Sequence, residues 1–136
     1  MSQQVILIID DDVQLVDSIK TLLESVGYRV IFAYQPRKGI ELAQETTPDL
    51  ILLDVMFAGP SGPDGFQVAR EFHDDPQLKK VPIIMLSGIR KSLDVTFEIS
   101  PDDTWMPVKA FLDKPIKPGK LLAEIHKVLG PFDQSL

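Results

Sequence analysis

The chain reads as an α/β domain, a doubly wound parallel sheet with helices on both faces, and three features predict it. Short apolar runs alternate with stretches of helical periodicity along nearly the whole length. The runs Val5-Ile6-Leu7-Ile8-Ile9 and Leu50-Ile51-Leu52-Leu53 are continuously apolar, as expected of strands buried on both faces. Both end in acid, Asp10-Asp11-Asp12 after the first and Asp54 after the second. In open α/β sheets the ligand crevice lies outside the carboxyl ends of the strands. If the two strands are neighbours, these carboxylates meet there and cannot all stay ionised without a cation. Oxygen-only ligands favour a hard ion such as Mg²⁺.

Each element has its own signal. After the first strand, Val13, Val16, Ile19, Leu22, Leu23 and Val26 recur at helical spacing, and Gly27 stops that helix. Val30-Ile31-Phe32-Ala33 is a second, shorter strand, and Pro36 opens a helix carrying Ile40 and Ala43. Pro48 leads into the third strand, Leu50 to Leu53. A loop rich in Gly and Pro, from Ala58 to Gly65, precedes a helix starting near Phe66. Val81-Pro82-Ile83-Ile84-Met85-Leu86 is a fourth strand with its proline near the start. Ala110-Phe111-Leu112 is a short fifth, and Leu121, Leu122, Ile125, Val128 and Leu129 mark a last helix ended by Gly130-Pro131. One segment conflicts with the pattern. A crossover helix is expected between Ile89 and Ile99, yet Leu93, Val95, Phe97 and Ile99 alternate with the period of a strand.

Composition narrows the function. The 136 residues suffice for one core, and the 44% apolar fraction is that of a globular domain. Net charge is −6, from 20 acidic and 14 basic side chains. That disfavours non-specific binding to a nucleic-acid backbone and is compatible with a protein partner. With no cysteine, disulfides, thiolate metal sites and cysteine nucleophiles are excluded. No stretch approaches the roughly 20 apolar residues of a membrane span. Met1-Ser2-Gln3-Gln4 lacks the basic start of a secretory signal, so a cytoplasmic protein is expected.

An acidic pair after strand one, Asp54 after strand three, Ser87 after strand four and Lys114-Pro115 after strand five: this ordered set resembles the receiver domain of two-component response regulators, in a stand-alone form like the chemotaxis receivers. No single motif is specific, but their order on successive strand ends is, and the resemblance covers nearly the whole chain. It implies a flavodoxin-like five-stranded sheet of order 2-1-3-4-5. It places the receiver over residues 1–130 with a tail at 131–136.

The resemblance also implies roles. Asp10 and Asp11 match the metal-holding pair, Asp11 directly and Asp10 mainly through water. Asp54 matches the phosphoacceptor, which attacks the phosphorus of a phosphohistidine and becomes an acyl phosphate. Met56 would lend its backbone carbonyl to Mg²⁺. Lys114 matches the lysine that pairs with the aspartate and then the phosphoryl group, often before a cis proline bond. Ser87 would hydrogen-bond a phosphoryl oxygen, and Phe111 matches the aromatic switch position. Plainer readings stand beside these: Asp12 as a helix N-cap, Ser87 as a helix cap, Phe111 as a core aromatic, and His73 and His126 as helix-surface side chains.

The implied protein is a single-domain response regulator, a signalling protein rather than a turnover enzyme. It takes its phosphoryl group from a histidine kinase or phosphotransfer protein. Because the chain stops near the last helix, its output is expected to be contact with a downstream protein, with no nucleic acid and no membrane involved. A homodimer formed on phosphorylation is compatible with this. Two departures from the family pattern lie in the longer loop at Gly59 to Gly62 and the longer segment from Ser87 to Phe111, where Trp105, Met106 and Pro107 suggest a partner patch. Apolar Met56 and Ile89 beside the site predict slow self-dephosphorylation. The rivals are an unphosphorylated pseudo-receiver scaffold and a phosphatase resembling the haloacid dehalogenases. The latter would use Asp10 and Asp12 and expects an acidic pair after Lys114, where Asp102-Asp103 instead precede it.

Overall fold

In the computed structural model, residues 3–56, 64–88 and 108–130 are described. Five strands form one parallel sheet: β1 (Val5–Ile9), β2 (Arg29–Ala33), β3 (Leu50–Asp54), β4 (Ile83–Ser87) and β5 (Val108–Asp113), in the order β2-β1-β3-β4-β5. Four helices are described: α1 (Val13–Ser25), α2 (Pro36–Thr46), α3 (Gly65–Asp74) and α4 (Pro118–Leu129). The expected fold class and strand order are those observed. The segment from Ile89 to Pro107, with its conflicting periodicity and the Trp105-Met106-Pro107 patch, lies outside the described residues.

The sheet has two apolar faces because β1 and β3 project side chains alternately into two cores. Leu7, Ile9, Ile51, Leu53, Ile83 and Met85 pack with α2 and α3 residues such as Ile40, Val68 and Phe72. Ile6, Ile8, Leu50, Leu52, Ile84 and Leu86 pack with Val16, Ile19 and Leu23 of α1 and Leu121 and Ile125 of α4. This two-sided burial explains why the central strands are apolar without alternation.

Helix ends follow local chemistry. Asp12 caps α1, its carboxylate accepting from Leu15 N–H at 3.1 Å. Asp64 caps α3 in the same way through Gln67 N–H, at 2.8 Å. Pro36 and Pro118 sit at the starts of α2 and α4, where a missing N–H costs nothing. β4 begins two residues later than Val81, yet Pro82 still offers its carbonyl to Ile51 N–H at 3.0 Å.

β5 is longer than the expected three residues and carries an irregularity: Ile83 stands opposite Val108, but Ile84 stands opposite Ala110. The extra residue, Lys109, resets which face each side chain takes. Val108 and Phe111 therefore share the α2–α3 face, while Ala110 and Leu112 take the other.

Candidate functional site

Strand register assembles the site. Ile9 pairs with Leu53, so Asp10, the next residue, stands abreast of Asp54. Asp54 pairs with Leu86 and Ser87 with Asp113, so Ser87 and Lys114 follow at the same end of the sheet. Asp10, Asp54 and Ser87 are the buried polar residues among those described, at 0%, 3% and 2% exposure. Asp10 and Ser87 are held by the backbone around them. Asp10 N–H donates to Ala33 C=O at 3.2 Å, Asp10 Oδ1 accepts Asp12 N–H at 2.9 Å, and Lys114 N–H donates to Ser87 C=O at 2.9 Å.

Carboxylate oxygens of Asp10, Asp11 and Asp54 lie within 4.8 Å of one another. Lys114 Nζ reaches between two of them, 3.0 Å from Asp10 Oδ2 and 3.1 Å from Asp54 Oδ1. The Lys114–Pro115 peptide is cis. Asp54 Oδ2 is buried with no hydrogen-bond donor among the described residues. One lysine thus bridges two buried carboxylates, with the half-buried Asp11 beside them.

The electrostatics follow from that imbalance. Burial, and then the charge of Asp10, pushes Asp54 up to about 6, against the opposing pull of Lys114. Burial likewise raises Asp10, opposed by the Asp12 N–H and by Lys114. Burial alone would lower the Lys114 ammonium, but its two carboxylate partners outweigh this and leave it raised. An all-oxygen donor set, an unpartnered buried oxygen and unrelieved negative charge fit a hard divalent cation.

The remaining expected residues are placed as follows. Met56 N–H lies 3.4 Å from Asp54 Oδ1 and its side chain is exposed, so more than half of it faces water; Ile89 is outside the described residues. Phe111 is half-buried against the α2–α3 core, its ring centroid 6.4 Å from that of Phe66. Asp12 takes its capping role, and the clustered acids are Asp10, Asp11 and Asp54. His73 and His126 lie on α3 and α4 and take no part in that cluster. The sequence reading missed that the Asp64-Gly65 pair is the start of α3 itself, packed on the backbone of β3's end. Its one available signal is a cap residue and glycine directly before the apolar positions Phe66, Val68 and Ala69.

The model of the response regulator receiver domain matches residues 6–126. The chain belongs to that family. Among curated proteins it is 34% identical over 131 residues to the DNA-binding dual master transcriptional regulator RpaA of Synechocystis, across 95% of this chain and 50% of RpaA. Among solved structures, the chemotaxis protein CheY4 of Vibrio cholerae is 25% identical with a TM-score of 0.78, covering 93% of this chain and 99% of CheY4. The receiver domain of sensor histidine kinase PA1611 of Pseudomonas aeruginosa, also 25% identical, has a TM-score of 0.77 and covers 96% of this chain and all of that one. That structure has a magnesium ion coordinated in its active-site cleft.

The chain spans about half the length of the curated relatives it matches. The expectation that nucleic acid is no partner finds no support among them, since RpaA is DNA-binding by name. No described helix is long and apolar enough to cross a membrane. Membership of the receiver family leaves the haloacid-dehalogenase reading without a footing.

Proposed function

We propose that this receiver accepts a phosphoryl group on Asp54 from the phosphohistidine of a histidine kinase or phosphotransfer protein. The observation that carries the reading is the buried Asp54 Oδ2, unpartnered at the end of β3 amid two further carboxylates and one lysine. A carboxylate oxygen of Asp54 attacks phosphorus, the bond from phosphorus to the histidine nitrogen breaks, and that nitrogen leaves with the electron pair. The product is an acyl phosphate on Asp54.

The other residues position and balance charge. Asp10, Asp11, Asp54 and the Met56 carbonyl would hold Mg²⁺, which when bound supplies positive charge beside the phosphoryl oxygens. Lys114, now bridging Asp10 and Asp54, follows the new negative charge; a point charge on a flexible stem suits this. Ser87 hydrogen-bonds a phosphoryl oxygen, and Phe111 responds through its packing. Output is contact with a downstream protein, the occupant favoured by a net charge of −6.

Incubation with acetyl phosphate and Mg²⁺, read by intact mass, tests this. A phosphoryl adduct in the native protein that is lost in Asp54→Asn and without Mg²⁺ is the expected result. Absence of any adduct would make the chain an unphosphorylated scaffold instead.

A further inference from the structure

The helix α3 opens directly against the strand end that carries Asp54. Gly65 N–H donates to the Val55 carbonyl at 2.6 Å. A methyl group on residue 65 would overlap the Asp54 carbonyl oxygen and stand 2.7 Å from Val55 Cα and 2.9 Å from the Asp54 carbonyl carbon. All three are backbone atoms, so no side-chain rotation makes room. The glycine is not there for a left-handed backbone either: the positive-φ glycines among the described residues are Gly27 and Gly130. Glycine is a poor helix former, about 1 kcal/mol worse than alanine in a helix interior, so Gly65 at the first position of α3 is not there for helix propensity. The close approach to β3 is what residue 65 gains in return.

We propose that Gly65 is a positioning residue for Asp54, resting on the phosphoacceptor reading above. Its missing side chain lets the first turn of α3 press on the Asp54–Val55 peptide and fix the carboxylate toward Asp10 and Asp11. The contact is braced from both sides. Behind Gly65, the Asp64 cap holds α3, and Phe66 packs beside Phe111. Beyond it, Val55 N–H is tied to Leu86 C=O at 3.1 Å. A side chain at 65 therefore displaces the peptide that carries Asp54 and, with it, Met56, whose N–H faces Asp54 Oδ1.

Supporting groups of this kind typically change metal affinity about 10- to 100-fold when altered. Titration calorimetry with Mg²⁺ should show a loss of about that size in Gly65→Ala, with a slower rise of the acetyl-phosphate adduct. Gly119→Ala is the control, since a methyl there meets nothing within 4 Å. It should match the native protein in both readouts. Mg²⁺ affinity in Gly65→Ala equal to native overturns the proposal.

If Gly65→Ala does not fold, amide exchange on the native protein decides. Mg²⁺ should slow exchange of the Gly65 N–H while leaving the Thr47 N–H, bonded to Ala43 at the far end of α2, unchanged. A Gly65 amide indifferent to Mg²⁺ overturns the proposal. A native protein that binds no Mg²⁺ and forms no adduct brings down the phosphoacceptor reading and this inference together. Native uptake with an unaffected Gly65→Ala brings down only this one.

Discussion

Two aspartates bracket β3. Asp49 stands just before it, at the amino end of the sheet, where its carboxylate accepts Val5 N–H at 2.7 Å and its own N–H reaches Val5 C=O at 2.8 Å. Around it the amino end is closed by neutral bonds at the surface: Gln77 Nε2 donates to Gln44 C=O at 2.8 Å and to Thr47 Oγ1 at 2.6 Å. Asp54 ends the same strand in the opposite setting, buried among like charges with one oxygen unpartnered. At the amino end, Asp49 and Gln77 use their polar groups to join neighbouring segments. At the carboxyl end, negative charge is concentrated that Lys114 offsets in part and a bound cation would offset further. Stability and function are thus separated by the length of one strand, and substitutions at the two ends should differ in sign as well as size.

The largest effect is expected at Lys114, the counter-charge of the carboxyl end. Removing one partner of a buried ion pair commonly costs about 3–5 kcal/mol. Lys114 retains 26% exposure, which places Lys114→Met at the lower end, about 3 kcal/mol in metal-free protein near neutral pH. Urea unfolding measures it as a fall in midpoint. Addition of Mg²⁺ should recover part of the loss by replacing the missing positive charge. An unchanged midpoint would mean that the lysine does not offset the repulsion between Asp10 and Asp54.

Comparable in size, and opposite in direction, is Asp54→Asn. The folded carboxyl titrates at about 6, above its value in the unfolded chain, so the ionised form weakens the fold. This cost is present above about pH 6 and gone below about pH 4, because the folded state takes up its proton first as the pH falls. At about pH 8 it amounts to about 3 kcal/mol. Asp54→Asn should therefore be more stable than native protein without metal at that pH, and the two should converge near pH 4 apart from what Asp10 contributes to both. With Mg²⁺ the order should narrow, since a ligand bound only by the folded state stabilises it by mass action and the amide binds it less well. A variant less stable than native at about pH 8 without metal would show that Asp54 is not a burden on the fold.

These charges were legible from the sequence because strand ends concentrate them. Continuous apolar runs locate β1 and β3, and acid at the end of each marks Asp10, Asp11 and Asp54. Lys114 and Ser87 needed the family's ordered motifs, since a lone lysine or serine carries no spacing signal. What stayed hidden depends on register and close packing. The extra residue at Lys109, which turns Phe111 toward Phe66, is a property of β4–β5 pairing that no periodicity in a six-residue strand reveals. Gly65 looked like loop punctuation because a glycine needed for space is indistinguishable, in sequence, from one needed for a turn. Strand limits also slipped: β5 extends to Val108 and Asp113 because pairing with β4, rather than apolar content, sets its ends.

The smallest effect belongs to the amino end. Asp49→Ala removes the acceptor of one exposed Val5 N–H, which water replaces in part, so the cost is about 1 kcal/mol. Asp49→Asn keeps an oxygen in that place and should cost less than Asp49→Ala. Both are read as shifts of the urea midpoint at constant slope, and neither should change Mg²⁺ affinity. The decisive feature is the sign beside Asp54→Asn: two aspartates at opposite ends of one strand, each made neutral by a single atom's change, one loosening the fold and the other tightening it. If Asp49→Asn instead stabilised the metal-free protein as Asp54→Asn is expected to, the gain would come from lowering the overall charge of −6. The division between the two ends of the sheet would then have no energetic basis.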